Sequence, residues 1–396
     1  MENSSNKIVI VGAGPVGLAC ALAAARLPGI NVTVIERQTL TAVERGDGFD
    51  NRVYALSPGT RALLHELGVW PRLDDQRIAP IRAMQVFGDD EADSSRRGEI
   101  NFNNGSPLAF IVEHTTLMNA LQAAVRQLPE RIQLIDKADI VSIDFPNAAG
   151  NIGLTLANQT TLGAELLIAA DGGASGVRSM AGITFSLKDY DSDGVVANFR
   201  AERSHGGVAR QWFSPNGVLA YLPLPGDQMS IVWSVSAGRA TELAALEAKA
   251  FSAAVAAAGS HALGELTLTS SRARIPLKRM MANEWVRPGL ALIGDAAHSI
   301  HPLAGQGANL GFADVSALFS VLADRSPVSN IGDLALLRRY ERARREDALA
   351  MGEITDNLRS LYLSDSFVAK VMRREGLNII DRLSATKSML IGRAIR

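Results

Sequence analysis

Gly12, Gly14 and Gly17 stand together in Gly12-Ala13-Gly14-Pro15-Val16-Gly17, and Glu36 follows 24 residues beyond Gly12. These residue types at this spacing can hold the ADP half of a dinucleotide. Gly12 permits a tight turn, Gly14 lets backbone approach a pyrophosphate, and Gly17 lets a helix lie close on a strand. A helix starting there offers unpaired N–H groups and a partial positive charge to the phosphates. Glu36 can accept hydrogen bonds from a ribose diol, and Arg37 beside it joins the candidate cofactor-binding residues. The motif alone does not choose between NAD and FAD.

Two more acids sit at glycines after apolar runs. One is Asp171, in Ala170-Asp171-Gly172-Gly173 after Leu166–Ala170; the other is Asp295, in Gly294-Asp295-Ala296-Ala297-His298 after Leu290–Ile293. Ligands of open α/β sheets bind beyond the carboxyl ends of the strands. Glu36, Asp171 and Asp295 are therefore expected at one cleft, where an Asp can accept from sugar-chain hydroxyls.

The elements that must position them can be read from the pattern. Ile8–Val11 and Val32–Ile35 are apolar strands, joined by a helix from about Pro15 to Leu27 that Pro28-Gly29 stops. Residues 37–52 and 88–107 are polar and turn-rich. Ser57-Pro58 reads as an N-cap and first helical position for a helix over 57–70, and another helix starts near Thr115. Strands are expected at 132–135, 139–144 and 152–156. After residue 183 the texture alternates, with Trp212, Phe213, Tyr221 and Trp233 among strands of an antiparallel sheet. A helix is expected over 241–257, a long one over 307–322, and more through the last sixty residues. The fold class is α/β: a Rossmann-like dinucleotide-binding domain with an inserted antiparallel β-sheet substrate domain and C-terminal helices. The boundaries are 1–182 and 276–330 for the discontinuous first domain, 183–275 for the insertion and 331–396 for the helical end.

Composition excludes other classes. The chain of 396 residues has a formal net charge of -1, so no nucleic-acid-binding field is implied. Cys20 is the one cysteine, which excludes a disulfide framework, a redox-active disulfide and a cysteine-based metal site. The first strand pattern starts so early that no signal peptide is expected, and no apolar run is long enough for a membrane span; a cytoplasmic protein is the expectation. His298 and His301 lack an accompanying acidic or cysteine ligand set, so no metal is expected there.

The order of these three elements closely resembles the group A FAD-dependent aromatic monooxygenases, the para-hydroxybenzoate hydroxylase type. The stretch from His301 to Asp314, with Gly68-Val69-Trp70, Phe110–His114, Leu222-Pro223-Leu224-Pro225 and Tyr340–Arg344, is most similar to the ubiquinone-biosynthesis hydroxylase branch. The resemblance covers essentially the whole chain. It implies FAD as cofactor, Asp295 on the ribityl chain, Asp171 near the pyrophosphate, and Arg52 near the flavin. His114 stands where relatives often carry Asn or Arg. Gly305, Gln306, Gly307, Ala308 and Asn309 would open the helix whose end faces the flavin pyrimidine edge, and Pro302, with no N–H and a fixed φ, would wall the isoalloxazine.

The implied chemistry is reduction of FAD by NAD(P)H as a transient reductant, then insertion of one oxygen atom of dioxygen into an electron-rich, polyprenylated aromatic ring, with water leaving. Tyr221 is the substrate-side candidate, because its hydroxyl could bond a phenol. Related readings are a flavin hydroxylase with a soluble aromatic substrate and a non-catalytic FAD-binding subunit of a biosynthetic complex. From Arg338 to Arg396 there are 13 Lys/Arg against 8 Asp/Glu, with apolar residues among them. Such an end can pack on the FAD domain, or sit on an anionic membrane surface or a partner in a complex.

Overall fold

A computed structural model describes residues 6–42, 46, 48–88, 99–103, 105–145, 151–300, 307–326 and 328–363. The chain opens with β1 (Asn6–Val11), α1 (Pro15–Ala24) and β2 (Ile30–Ile35). Then come β3 (Val53–Leu56), α2 (Pro58–Glu66), β4 (Ala79–Ile81), β5 (Ala83–Gly88), β6 (Glu99–Phe102), β7 (Ala109–Glu113) and α3 (His114–Arg126). Next are β8 (Ile132–Ile135), β9 (Ile140–Asp144), β10 (Ile152–Leu156), β11 (Thr161–Ala164), β12 (Leu166–Ala169) and α4 (Gly176–Met180). The long strand β13 (Phe185–Ala201) leads into β14 (Val208–Ser214), β15 (Gly217–Pro223) and β16 (Gln228–Ser236). Two helices follow, α5 (Ala237–Ala245) and α6 (Ala248–Ala258), then β17 (Leu266–Leu268) and β18 (Ala273–Ala282). The described chain closes with β19 (Val286–Arg287), β20 (Leu290–Leu292), β21 (His298–Ser299), α7 (Gly307–Ala323) and α8 (Leu334–Leu363).

The first sheet has the order β19-β20-β12-β1-β2-β8 and is parallel apart from the β19–β20 pair. Its strands are apolar along their length because both faces are covered. Ile8, Val9, Ile10, Leu166, Leu167 and Ile168 are fully buried in one core with Leu18 and Ala21 of α1 and Phe312 and Val315 of α7. The second sheet is largely antiparallel, in the order β21-β18-β13-β16-β15-β14-β5-β6 with β17 beside β13. One of its faces packs Phe199, Tyr221 and Trp233 against Phe251 and Val255 of α6. A small sheet, β3-β7-β4, lies against the other face through Ala55, Ile81 and Ile111, which cluster with Ala209 and Leu224.

Several elements differ from the sequence reading. The turn-rich stretch 88–107 contains β6, and β5 pairs in parallel with β14, so residues inside 1–182 extend the second sheet. β18 begins before and runs past residue 275. The helix expected over 241–257 is two, because Leu246 and Glu247 take extended backbone between them. Ser57 caps α2 as expected, accepting from Thr60 N at 3.1 Å with Pro58 next in line.

The long α8 straps both sheets together. Tyr340 donates to the Leu292 carbonyl at 2.8 Å on the first sheet. Asp356 accepts from Lys188 at 2.9 Å, Arg279 at 2.8 Å and the Tyr190 hydroxyl on the second. Among the described residues no helix is long and apolar enough to cross a membrane, and no His, Cys, Asp and Glu cluster could hold a metal ion.

Candidate active site

The glycine turn leaves β1 with almost no room. Gly12 has φ +102°, and a Cβ there would stand 2.4 Å from the Ala170 carbonyl oxygen. A Cβ on Gly17 would stand 2.0 Å from the Gly12 carbonyl oxygen, so α1 touches the turn backbone to backbone. Gly14 is the reverse: it is the N-cap residue of α1, and nothing lies within 4 Å of where its Cβ would be. No side chain caps that helix end. Open space over an uncapped helix N-terminus suits a pyrophosphate.

The acids occupy neighbouring strand tips. Glu36, directly after β2, accepts from Ala13 N at 2.7 Å and Gln38 N at 2.9 Å, which fixes its carboxylate beside the turn. Arg37 is exposed next to it. Asp171 follows β12; its Oδ2 accepts from Val177 N at 3.1 Å, while its Oδ1 is buried with no partner in the protein. That orphaned acceptor fits a ligand with hydroxyl or amide donors. Arg178 bridges the loops after β12 and β20, donating to the Gly173 carbonyl at 2.7 Å and the Ala296 carbonyl at 2.8 Å. Since β2, β1, β12 and β20 are consecutive, these tips span only about 14 Å at ~4.8 Å per strand.

Asp295 sits in a 3-10 turn, Gly294–Ala296, directly after β20. Solvent reaches its side chain, yet the surrounding protein raises its carboxyl pKa by desolvation, and Asp314 adds to the rise; His298 and Arg52 oppose it. The turn is held from beneath by Asp314 of α7, which is fully buried. Asp314 Oδ2 accepts from Gly294 N at 2.9 Å and from His298 Nε2 at 2.7 Å, and Oδ1 accepts from Arg344 Nε at 3.0 Å. Burial alone would raise the Asp314 pKa; His298, Arg344 and the Gly294 N–H outweigh it and hold the group below the usual carboxylate range. His298 stacks on Trp285 with ring centroids 4.7 Å apart. Its ring nitrogen, bonded to Asp314, serves the turn.

A second network carries Arg52 to the cleft. Glu113 is buried and paired with Arg77 at 2.6 and 2.7 Å, and it accepts from Asp50 N at 2.8 Å. Asp50 in turn accepts from Thr115 N at 2.7 Å, at the start of α3. Arg52 is exposed and lies 5.4 Å from the centre of the Tyr54 ring. Tyr54 Oη and His114 Nδ1 are hydrogen-bonded at 2.8 Å. Desolvation raises the Tyr54 pKa to about 12 and lowers that of His114, which Arg52 lowers further.

Two sequence-based assignments are corrected. Tyr221 does not face the cleft: its hydroxyl donates to the Val255 carbonyl of α6 at 2.7 Å, and its ring packs edge-on to Trp212 at 4.6 Å. Trp212 and Trp233 lie in the same helix-covered core, while Phe213 is out of phase with them and packs with Val86 and Ile100. Asn309 does open α7, but its side chain staples that helix to the protein. Oδ1 accepts from Ser57 N and Thr60 Oγ1, both at 2.9 Å, and Nδ2 donates to the Ala55 carbonyl at 2.9 Å. Gly307 and Ala308 start the helix half-buried. His301, Pro302, Gly305 and Gln306 lie outside the described residues.

Sequence reasoning missed the working role of Asp314 and Arg344, although both lie in stretches that carried the resemblance. The signal was available: Asp314 is the one charged residue in the largely apolar helix GANLGFADVSALFSVLA. It also missed Asn198, Gln211 and Ser230, polar side chains buried on the sheet face opposite α6.

Comparison with known proteins bears on this geometry directly. The FAD binding domain family matches residues 5–354. Over 431 residues the chain is 32% identical to the ubiquinone biosynthesis monooxygenase COQ6 of Mus musculus, covering 97% of this chain and 90% of that protein. It is 32% identical over 400 residues to the 3-demethoxyubiquinol 3-hydroxylase of Escherichia coli, with 100% of both covered. Among solved structures, PqsL of Pseudomonas aeruginosa superposes with a TM-score of 0.77 at 20% identity, covering 94% of this chain and 99% of PqsL. The p-nitrophenol 4-monooxygenase PnpA of Pseudomonas putida gives 0.75 at 17% identity, covering 98% and 99%. These two likenesses establish the fold. With an open, uncapped helix end, carboxylates at adjacent strand tips and this similarity along its length, the chain belongs to the FAD-dependent monooxygenases of the ubiquinone-biosynthesis hydroxylase family.

Proposed function

We propose that the protein hydroxylates a polyprenylated, electron-rich aromatic ring in ubiquinone biosynthesis, using dioxygen and NAD(P)H. The observation that carries this reading is the 32% identity, along the whole length, to a 3-demethoxyubiquinol 3-hydroxylase, together with acids at three neighbouring strand tips. FAD supplies the electron storage and oxygen activation that no side chain can perform. The chain supplies position and field. Gly12, Gly14 and Gly17 and the end of α1 take the pyrophosphate; Glu36 takes the adenosine ribose, with Arg37 alongside. Asp295 accepts from the ribityl hydroxyls, and Asp171, Arg52 and His114 line the same cleft. The start of α7 at Gly307 and Ala308 directs its positive end toward the flavin, which favours the anionic reduced form. Pro302, Gly305 and Gln306 belong to the same segment of the proposal. The second sheet closes over the cleft and excludes water from the oxygen-transfer step.

An apolar tail also gives the basic C-terminal sequence a physical motive for contact with an anionic membrane surface or a biosynthetic complex. The test of function is direct. The purified yellow protein is expected to oxidise NAD(P)H faster when a prenylated phenol is added, and to place one oxygen atom from isotopically labelled dioxygen in the product. A flavin-loaded protein that ignores every prenylated phenol offered would overturn the reading.

Asp295 gives a sharper expectation. Removing its carboxylate in Asp295→Ala deletes at least one hydrogen bond to a charged acceptor, worth about 1.5–3 kcal/mol, so FAD affinity falls by roughly 10- to 150-fold or more. The ionised carboxylate is the stronger acceptor and the protonated form loses one accepting position, and desolvation raises the pKa of this group. FAD affinity therefore drops as pH is lowered through that raised value, because the proton competes with the ribityl hydroxyls. Asp295→Asn should show a flatter pH profile in flavin titrations. A profile as steep as the parent's would assign the proton to another group.

A further inference from the structure

We propose that Asn198 and Ser230 form a recognition subsite for a hydroxyl group on the substrate ring; the proposal rests on the aromatic-hydroxylase reading above. Ala197 and Phe199 of β13 and Met229 and Ile231 of β16 point into the helix-covered core. Side chains alternate along a strand, so Asn198 and Ser230 lie on the opposite face. They are directly paired across β13 and β16. Asn198 N donates to Ser270 Oγ at 2.8 Å and its carbonyl accepts from Thr269 N at 2.9 Å, so both backbone groups face away from β16. The Asn198–Ser230 pair is thus the non-hydrogen-bonded kind, in which the Cα atoms approach to about 4.5 Å and the side chains stand closest.

The amide of Asn198 has a fixed orientation. Nδ2 donates to the Phe49 carbonyl at 2.8 Å and the Asp50 carbonyl at 3.0 Å, which uses both of its hydrogens. Oδ1 is left as a buried acceptor with no partner, and Ser230 Oγ is buried without a partner as well. Asn198 is 1% exposed and Ser230 0%. An unsatisfied buried polar atom costs about 1–3 kcal/mol, and native proteins rarely leave one without a reason. Here two belong to one cross-strand pair, and the loop that Asn198 touches, at Phe49 and Asp50, leads within a few residues to Arg52 and Tyr54 of the FAD cleft. The next row on this face is apolar, with Val196 paired to Val232 and Val232 to Ala220. Apolar walls with a few convergent polar atoms are the usual make-up of a small-molecule site.

The chemistry of the pair selects its ligand. Asn198 Oδ1 can only accept, whereas the Ser230 hydroxyl can donate. A phenolic O–H satisfies both: it gives its hydrogen to Oδ1 and takes the Ser230 hydrogen on its lone pair. A methoxy or carbonyl oxygen only accepts, so it leaves Oδ1 unsatisfied. The subsite therefore reads a ring hydroxyl, the substituent that also enriches the ring for oxygen transfer.

The test uses the FAD-loaded protein with 2-prenylphenol and its methyl ether, 2-prenylanisole, as probes. Binding is followed by the change in flavin absorbance. The parent is expected to bind the phenol at least about tenfold more tightly than the ether, the equivalent of one hydrogen bond that only the phenol can make. In Ser230→Ala both probes should bind about fivefold or more weakly, since either oxygen accepts the Ser230 hydrogen, with the ratio kept and FAD affinity unaltered. Equal binding of the two probes by the parent overturns the subsite while leaving the hydroxylase reading standing. So does a Ser230→Ala protein that binds both probes as tightly as the parent, since an ordered water would then satisfy the pair. If neither probe perturbs the flavin nor stimulates NAD(P)H oxidation, both the subsite and the hydroxylase reading fall.

Discussion

Asp314→Ala is expected to cost about 3–5 kcal/mol of stability and to abolish FAD retention, because breaking this buried ion pair leaves Arg344 with only the exposed Asp347 as an acidic partner. The side chain of Arg344 is only 9% exposed, and it would lose its carboxylate acceptor on α7. Gly294 N and His298 Nε2 would lose their acceptor in the same step. The turn carrying Asp295 is built on that acceptor, so cofactor and stability should fall together. Thermal unfolding with and without FAD measures both. A double change, Asp314→Leu with Arg344→Met, should recover most of the stability, since neither charge then remains buried. It should not recover FAD, because Gly294 N stays without an acceptor. A single variant within 1 kcal/mol of the parent would remove Asp314 from this role.

The pH dependence of that loss has a definite sign. Asp314 has its folded pKa held below the ordinary value, so its contribution is complete above the unfolded pKa of about 3.9. It fades as pH falls toward the folded value. Parent and Asp314→Ala should therefore differ most at neutral pH and converge in acid.

Gly12→Ala is the other large effect. Its methyl would lie 2.4 Å from the Ala170 oxygen, 2.7 Å from the Ala170 carbon and 2.9 Å from the Asp171 Cα. All three are backbone atoms at the end of β12, a strand hydrogen-bonded on both sides, so the neighbour cannot yield. The positive φ adds a steric penalty of about 1–2 kcal/mol for a residue with a Cβ. The purified variant should be colourless and should melt well below the parent even without FAD. Gly14→Ala separates the two demands. Its methyl meets no protein atom within 4 Å, so the apoprotein should melt like the parent's. The same methyl fills the space over α1, so FAD affinity should fall steeply. If Gly12→Ala kept its flavin, the contact between turn and β12 would not govern the site.

The dinucleotide half of the fold was legible because its instructions are local. The run Ile8–Val11, the glycine spacing and the acid after β2 are all contained in one short unit, and each has a single steric or electrostatic meaning. Asp171 and Asp295 were legible as strand-end acids for the same reason. Tyr221 was not, because alternation shows that a strand has two faces but not which one a helix will cover. α5 and α6 settle that, and Ala-rich helices carry no mark of their docking side. β5 was hidden by pairing with a strand more than a hundred residues away, and β6 by lying in a stretch whose composition reads as turns. Asn309 failed for a related reason. Its partners Ala55, Ser57 and Thr60 are distant in sequence, and a polar residue at a helix start looks the same whether it meets a cofactor or the protein.

The strap formed by α8 bears on how the molecule is made. From near the end of the described chain Tyr340 reaches the first sheet, Arg344 reaches Asp314 of α7, and Asp356 reaches the second sheet. During synthesis every strand tip is already translated while the cation that completes the Asp314 pair is still missing. Loading of the flavin is thus expected to be a late event, timed by translation of α8 rather than by the nucleotide-binding motif at the front of the chain.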